Sequence, residues 1–361
     1  MKQSVYITML CAIMQKDKNI FFDWKWDTEK PFTSPAAAIG EDIRGFFELE
    51  EEDFWWKRVP KYVPVERVQD IHIMAPVEFN SNFLEFLSKK QIYLHQYSWD
   101  GNWVGSFPSR KQLAHGDILL EQVKLQSRTK KRLSLSKILI QTAFKNMKRL
   151  LGYYERRKIL PANSANFSTD LMASLKLADS LNAIMGVEGA FRRNYYECLD
   201  WLTLEGMKLE GRRYAPAPNP GNALYSFLNA LLYAEIASEI NRTPLDAGFG
   251  MLHQYGRAQQ PLVYDISEVF KPIIVDPLFL TLTRKKMIIS EDFSISENGI
   301  YLKKEPKLKV VRAFNGKIHD TMYSNHFKRK VSYRSLIRAD AYKFLNHLVD
   351  KTPFKPYVHE W

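Results

Sequence analysis

With 361 residues and 45% hydrophobic side chains, the chain is too long for one comfortable core and too apolar to be largely disordered, so two domains are expected. Net charge is +12, yet residues 1–114 carry 14 Lys and Arg against 16 Asp and Glu, so the whole excess, 38 against 24, lies in residues 115–361. That asymmetry suits a second domain that meets a polyanion, most simply nucleic acid, through phosphate neutralisation; merely solvated basic helices are the bland alternative.

Met1-Lys2 followed by SVYITMLCAIM has a charged start and an apolar run, but it lacks a small-residue cleavage site and is too short to span a bilayer. An opening β-strand of a cytoplasmic protein, with no membrane association, is the expected reading. Cys11 and Cys198 fit neither metal-ligand nor redox spacing and read as buried thiols of a reducing compartment. Val5 to Leu10, Ile20 to Trp26, Val63 to Met74, Ile92 to Gln96 and Trp103 to Phe107 are rich in β-branched and aromatic residues and predict strands. Asp100-Gly101 signals a hairpin between the last two, and Asn82 to Lys89 predicts a short helix with Phe83, Phe86 and Leu87 on one face. The acidic stretch Glu48 to Asp53, followed by Phe54-Trp55-Trp56, has no clear period and reads as a solvated loop or helix end.

From about Leu113 the apolar period changes from two to nearly four, which places a domain boundary at 114/115 and predicts an α+β chain: a β-rich N-terminal domain and an all-α second domain. Leu135 through Tyr154 mark one helix, and Leu171, Leu175, Ala178, Leu181 and Met185 mark another, with Ser168 as its expected N-cap. The next carries Val187, Phe191, Tyr195, Cys198 and Leu202, so that Glu188, Arg192 and Tyr195 lie close to one face. Asn219-Pro220 then starts a long apolar helix that Thr243-Pro244 ends. Basic runs at 128–132, 145–149, 156–158, 212–213, 284–286 and 327–334 are interleaved with tyrosines, a pattern suited to backbone tracking with some base stacking.

Gly248 to Pro272 holds the chemistry. His253 follows a glycine-rich turn, and Asp265 and Glu268 follow at i and i+3, on one face of a short helix that Pro272 is expected to end. Glu188, flanked by Gly186 and Gly189, supplies a further carboxylate. Taken singly, His253 reads equally as a satisfied core residue, and Asp265 and Glu268 as helix surface. Together, carboxylates inside a polyanion-binding domain need a cation between them and phosphate, and carboxylates with one imidazole suit Mg²⁺ or Mn²⁺ better than structural zinc.

The series Val187-Glu188-Gly189 with Arg193 and Tyr195, then Asn222, Leu245-Asp246 through Gly250-Met251-Leu252-His253, and Tyr264-Asp265-Ile266-Ser267-Glu268 with Phe270-Lys271-Pro272, resembles the CRISPR-associated integrase family Cas1 over nearly the whole chain. The resemblance implies a β-rich domain for dimer contacts (1–114) and a helical catalytic, DNA-binding domain (115–361). It implies Glu188, His253 and Glu268 as ligands of Mg²⁺ or Mn²⁺, with Asp265 as a catalytic acidic helper; Arg192, Arg193 and Lys271, basic residues beside these positions, are the candidate DNA contacts. The activity implied is a metal-dependent endonuclease and integrase that joins 3′-hydroxyl ends of protospacer DNA into a CRISPR repeat, acting as homodimers, two of which the small partner Cas2 bridges. A transposon-borne integrase of the same fold and an inactive DNA-binding scaffold are the alternatives. Phe191-Arg192 stands where the family has small residues, Lys271 replaces an arginine, and the segment from Lys16 to Lys61 is longer and more aromatic than the family pattern.

Overall fold

A computed structural model describes residues 2–8, 11–16, 18–23, 62–107, 116–213, 216–253, 260–296, 299–324 and 327–360. The acidic stretch 48–53, the aromatic run behind it and most of the segment 16–61 lie outside these residues. The chain forms two compact units, Met1–Lys111 and Gln112–Trp361.

The first unit is built from β1 (Gln3–Ile7), β2 (Cys11–Lys16), β3 (Asn19–Asp23), β4 (Tyr62–Pro64), β5 (Val68–Ile73), β6 (Val77–Glu78), α1 (Ser81–Lys90), β7 (Tyr93–Tyr97) and β8 (Trp103–Phe107). They make two four-stranded sheets, ordered β1-β5-β7-β8 and β4-β3-β2-β6. β5 runs parallel to both neighbours, β1 and β7. It is buried along nearly its whole length, as a central parallel strand should be. The expected strand over 63–74 is interrupted by a 3-10 turn at Val65–Arg67, which lets its two halves join different sheets. Asp100-Gly101 closes the β7–β8 hairpin, with Gly101 at φ +88°, the region where glycine costs nothing. Asn80 caps α1 by accepting from Phe83 N at 3.0 Å, and the helix buries Phe83, Phe86 and Leu87 among Ile13, Phe22 and Ile71 of the core.

The second unit contains α2 (Gly116–Ser127), α3 (Thr129–Arg156), α4 (Phe167–Leu177), α5 (Leu181–Leu202), α6 (Pro220–Asn241), α7 (Pro261–Phe270), α8 (Asp276–Arg284), α9 (Lys304–His319) and α10 (Tyr333–Val349). It is not all-α: β9 (Phe293–Ser296) pairs with β10 (Gly299–Leu302), and β11 (Thr321–Ser324) with β12 (Arg329–Ser332). The axis of this unit is α6, which is buried on nearly every side, as a helix apolar all round must be. Asn219 starts it as expected, accepting from Asn222 N at 2.8 Å, with Pro220 in the first turn. α7, α8, α9 and α10 pack around it.

Two helix boundaries differ from expectation. The apolar series from Leu171 to Met185 spans two helices, because Ala178 turns extended and Ser180, not Ser168, provides a cap, accepting from Ala183 N at 3.2 Å. Ser168 lies inside the first turn of α4. Nor does Pro272 end the helix that carries Asp265 and Glu268. The missing Pro N–H is absorbed by a π turn at Lys271–Val275 that leads directly into α8. α7, the π turn and α8 therefore form one continuous helical run.

Candidate functional site

The turn that carries His253 is held from three sides. Gln122 on α2 donates to Asp246 O at 2.9 Å and to Phe249 O at 3.0 Å, and accepts from Asp246 N at 2.8 Å. Gln126 reaches Gly250 O at 2.8 Å. From α3, Arg132 donates to Met251 O at 2.7 Å and to His253 O at 3.3 Å. From α7, Asp265 accepts the backbone N–H of Met251, of Leu252 at 3.1 Å and of His253 at 3.0 Å. A Cβ at Gly250 would stand 2.5 Å from Asp265 Oδ2, so only glycine lets that carboxylate come so close.

Asp265 also lies 2.7 Å from Nδ1 of His253. The carboxylate is fully buried and committed to the turn and the ring, so it orients the imidazole and leaves Nε2 as the nitrogen able to meet a ligand. Sequence spacing placed Asp265 on one helix face with Glu268, and the resemblance implied a catalytic helper; in the structure its carboxylate contacts the turn and ring of His253. Arg132, counted in the sequence among the polyanion-facing basic residues, is buried and turned inward on the same segment. Arg334, in the basic run at 327–334, is likewise buried, paired with Glu235 of α6.

Glu188, His253 and Glu268 line one cavity of about 590 Å³, together with Arg193, Arg212 and Arg213. Glu188 comes from α5 and Glu268 from α7, and both pair with Arg192 of α5. Lys271 Nζ holds the other oxygen of Glu268 at 2.8 Å and lies 5.3 Å from the centre of the Tyr233 ring. Arg192 and Lys271, expected as DNA contacts, are thus buried and engaged in neutralising carboxylates, whereas Arg193, on the next position of α5, is exposed.

Asn222, buried in the first turn of α6, organises the opposite rim. Its Nδ2 donates to Leu209 O at 2.6 Å and Gly211 O at 3.2 Å, while Oδ1 accepts from Arg213 N and from Arg212 Nη1, both at 3.0 Å. Arg212 also donates to Ser226 Oγ at 2.9 Å. A Cβ on Gly221 would meet the carbonyl oxygens of Met207 and Lys208 at 2.4 Å, which is how closely this loop lies on the helix start. Outside the cavity lining, Tyr195 of α5 and Tyr225 of α6 donate to the two oxygens of Asp276, at 2.6 and 2.7 Å. Burial pushes the Asp276 carboxyl up to about 6, against the lowering effect of the two tyrosine hydrogen bonds and of Arg192 and Lys271.

Two carboxylates and an imidazole steadied by a carboxylate fit Mg²⁺ or Mn²⁺ in donor chemistry. Among the described residues no three His, Cys, Asp or Glu side chains are drawn together as a ready cage, and the guanidinium of Arg192 occupies the interval between Glu188 and Glu268. The ligand types suit such an ion, while in this arrangement both carboxylates are paired with Arg192. Gln122, Gln126, Arg132 and Asp276 carry no sequence signal as site residues, because each acts on a partner far along the chain.

A family model described as CRISPR associated protein Cas1 matches residues 47–316. The CRISPR-associated endonuclease Cas1 of Haloferax volcanii is 32% identical over 302 residues, covering 83% of this chain and 91% of its own. A solved Cas1 structure from Thermotoga maritima superposes with a TM-score of 0.80 at 30% identity, over 98% of this chain and 99% of that one. The same fold recurs in a casposase bound to integration product, with a TM-score of 0.80 at 18% identity over 99% and 94% of the two chains. It recurs again in a Cas6-RT-Cas1–Cas2 complex, with a TM-score of 0.76 at 13% identity over all of this chain and 36% of that one.

Proposed function

This chain belongs to the Cas1 family of CRISPR-associated proteins, and from that premise we propose that it is a divalent-metal-dependent DNA integrase of spacer acquisition. In the reaction, the oxygen of a DNA 3′-hydroxyl forms a bond to phosphorus in a CRISPR repeat while the bond from that phosphorus to the repeat's own 3′ oxygen breaks. One phosphodiester replaces another, and the proton given up by the attacking hydroxyl is balanced by the one taken up at the displaced strand's 3′ oxygen, which leaves as a hydroxyl. The observation that carries this reading is the convergence of Glu188, His253 and Glu268 on one cavity with arginines on its rim.

Glu188 and Glu268, with Nε2 of His253, would hold Mg²⁺ or Mn²⁺, which when bound supplies charge neutralisation and polarisation of the phosphodiester. Asp265 keeps the imidazole in one tautomer and one orientation through its contact with Nδ1. Arg132, Gln122 and Gln126 fix the turn so that the ring does not drift from the carboxylates. Arg193, Arg212 and Arg213 receive phosphates beside the reacting one, the guanidinium fork matching a phosphate face. Among the described residues no helix is long and apolar enough to cross a membrane. Joining both ends of a fragment needs two such sites at a fixed distance, which supports a homodimer through the β-rich unit and a Cas2 bridge between dimers; an integrase acting on a chromosomal repeat would work in the cytoplasm.

The test is a strand-transfer assay with purified protein, the small partner, a short duplex with free 3′ ends and a supercoiled repeat-bearing plasmid. Glu188→Ala, His253→Ala and Glu268→Ala should each abolish joining while far-ultraviolet circular dichroism stays unchanged. Near-normal joining in Mn²⁺ by any two of them would overturn the assignment.

A further inference from the structure

Arg192 pairs through Nε with Glu188 and through Nη2 with Glu268, tying together carboxylates that arrive on different helices. Lys271 closes the other side of Glu268. The group is nearly dry: side-chain exposure is 10% for Arg192, 7% for Glu268, 8% for Lys271 and 21% for Glu188. Two negative and two positive side chains cancel, so the carboxylates are already neutralised.

That balance has a consequence for any divalent cation. Entering beside Arg192 and Lys271, it would create a buried excess of positive charge that the nearby Asp276 carboxyl offsets only in part, and uncompensated buried charge is among the most costly arrangements a protein can hold. Either the guanidinium leaves the carboxylates, or negative charge arrives with the cation. Nucleic acid phosphate supplies such charge, and a guanidinium released from two carboxylates has a planar donor fork that suits phosphate. Arg192 Nη1 already lies 3.3 Å from the hydroxyl of Tyr196, on its own helix and lining the same cavity.

We propose that Arg192 is a resident counter-cation of the Glu188–Glu268 pair, which DNA draws away, so that cation binding and DNA binding at this cavity are energetically coupled. The proposal rests on the metal-dependent reading of the site given above. In the absence of DNA the guanidinium competes with the cation; with DNA present, phosphate takes up the guanidinium and the cation takes up the carboxylates. Linkage then requires the coupling to be reciprocal: the cation raises affinity for DNA by the same factor as DNA raises affinity for the cation.

The experiment measures Mn²⁺ binding to the full chain by electron paramagnetic resonance of the free ion. It is done with and without a duplex whose 3′ ends are dideoxy, so that no joining occurs. Wild type should bind Mn²⁺ at least about fivefold more tightly with the duplex, the lower end of ordinary coupling between sites. Arg192→Gln, which keeps much of the volume but not the charge, should bind Mn²⁺ without DNA about as tightly as wild type does with it, and its coupling should shrink toward onefold. Arg192→Lys, which keeps the charge, should retain the coupling. Should Arg192→Gln fold only when Mn²⁺ is added, that rescue would itself support the competition. Equal Mn²⁺ affinity of wild type with and without DNA, or an unchanged DNA-free affinity in a folded Arg192→Gln, would overturn the proposal and leave the metal site standing. Mn²⁺ binding that survives Glu188→Ala undiminished would instead overturn the site reading beneath it.

Discussion

Asp265 and His253 form a bound pair: one carboxylate oxygen stands 2.7 Å from the imidazole Nδ1 and 3.0 Å from the same residue's backbone nitrogen. Ring and main chain are thus set by one side chain from α7. The helix that brings Glu268 to the cavity also determines how His253 enters it.

Asp265→Asn is the direct test of that relationship. The amide keeps one acceptor but turns an N–H₂ group toward backbone donors and the ring, so the turn loosens and the tautomer is no longer held. Loss of such a supporting partner typically lowers metal affinity by about 10–100-fold, and that range is expected here for Mn²⁺ by calorimetry. DNA affinity measured without metal should hardly change. A variant with wild-type Mn²⁺ affinity would show that Asp265 is not the residue that orients His253.

Arg132 offers a second test because charge counting and structure assign it different work. If it supports the carbonyls of Met251 and His253, Arg132→Ala leaves buried acceptors unmet and should cost on the order of 1–3 kcal/mol in chemical denaturation. The slope of log DNA affinity against log salt should stay as in wild type. A slope reduced by about 0.9, the share of one neutralised phosphate in duplex DNA, would return Arg132 to the DNA surface.

The opposite expectation holds on the loop fixed by Asn222. Arg213→Ala should lower DNA affinity across sequences and reduce the salt slope by about 0.9. Asn222→Ala, which releases Leu209 O, Gly211 O and Arg213 N, should lower DNA affinity with Arg213 still in the chain. Filter binding over a salt series decides it, and an Asn222→Ala variant that binds DNA like wild type would remove Asn222 as the organiser of this rim.

Local signals made much of this molecule legible. Asn219-Pro220 marked the start of α6, Asp100-Gly101 marked the β7–β8 turn, and the apolar face of α1 was readable from Phe83, Phe86 and Leu87. These are effects of residues on their immediate neighbours. Arg192, Lys271 and Arg132 were not legible in the same way, since a basic residue on a polyanion surface looks the same in a count as one that neutralises a buried acid or meets buried carbonyls. The difference depends on which helix lies opposite. Gln122 contacts residues more than a hundred positions away through backbone atoms, which every sequence supplies equally. Pro272 misled because its usual effect is to stop a helix, whereas a π turn here passes the chain on into α8.

Asp276 gives the last prediction, one of sign. It is fully buried, receives Tyr195 and Tyr225, and has Arg192 and Lys271 near enough to favour its charge, yet burial dominates and lifts its pKa from 3.8 to about 6. The folded state therefore binds this proton more tightly than the unfolded chain does. Its contribution to stability is greatest at low pH, shrinks as pH rises above the unfolded value, and is lost once pH has passed about 6. Asp276→Asn removes the titration while keeping the shape, and it adds a pH-independent offset from the altered hydrogen bonds to the two tyrosines. The difference in unfolding free energy between variant and wild type should consequently move in the variant's favour, by on the order of 1–2 kcal/mol, between about pH 5 and about pH 8. Urea denaturation of both proteins at those two pH values measures it. A difference that stays flat, or moves toward wild type, would mean that Asp276 is already ionised at the lower pH and that Arg192 and Lys271 outweigh its burial.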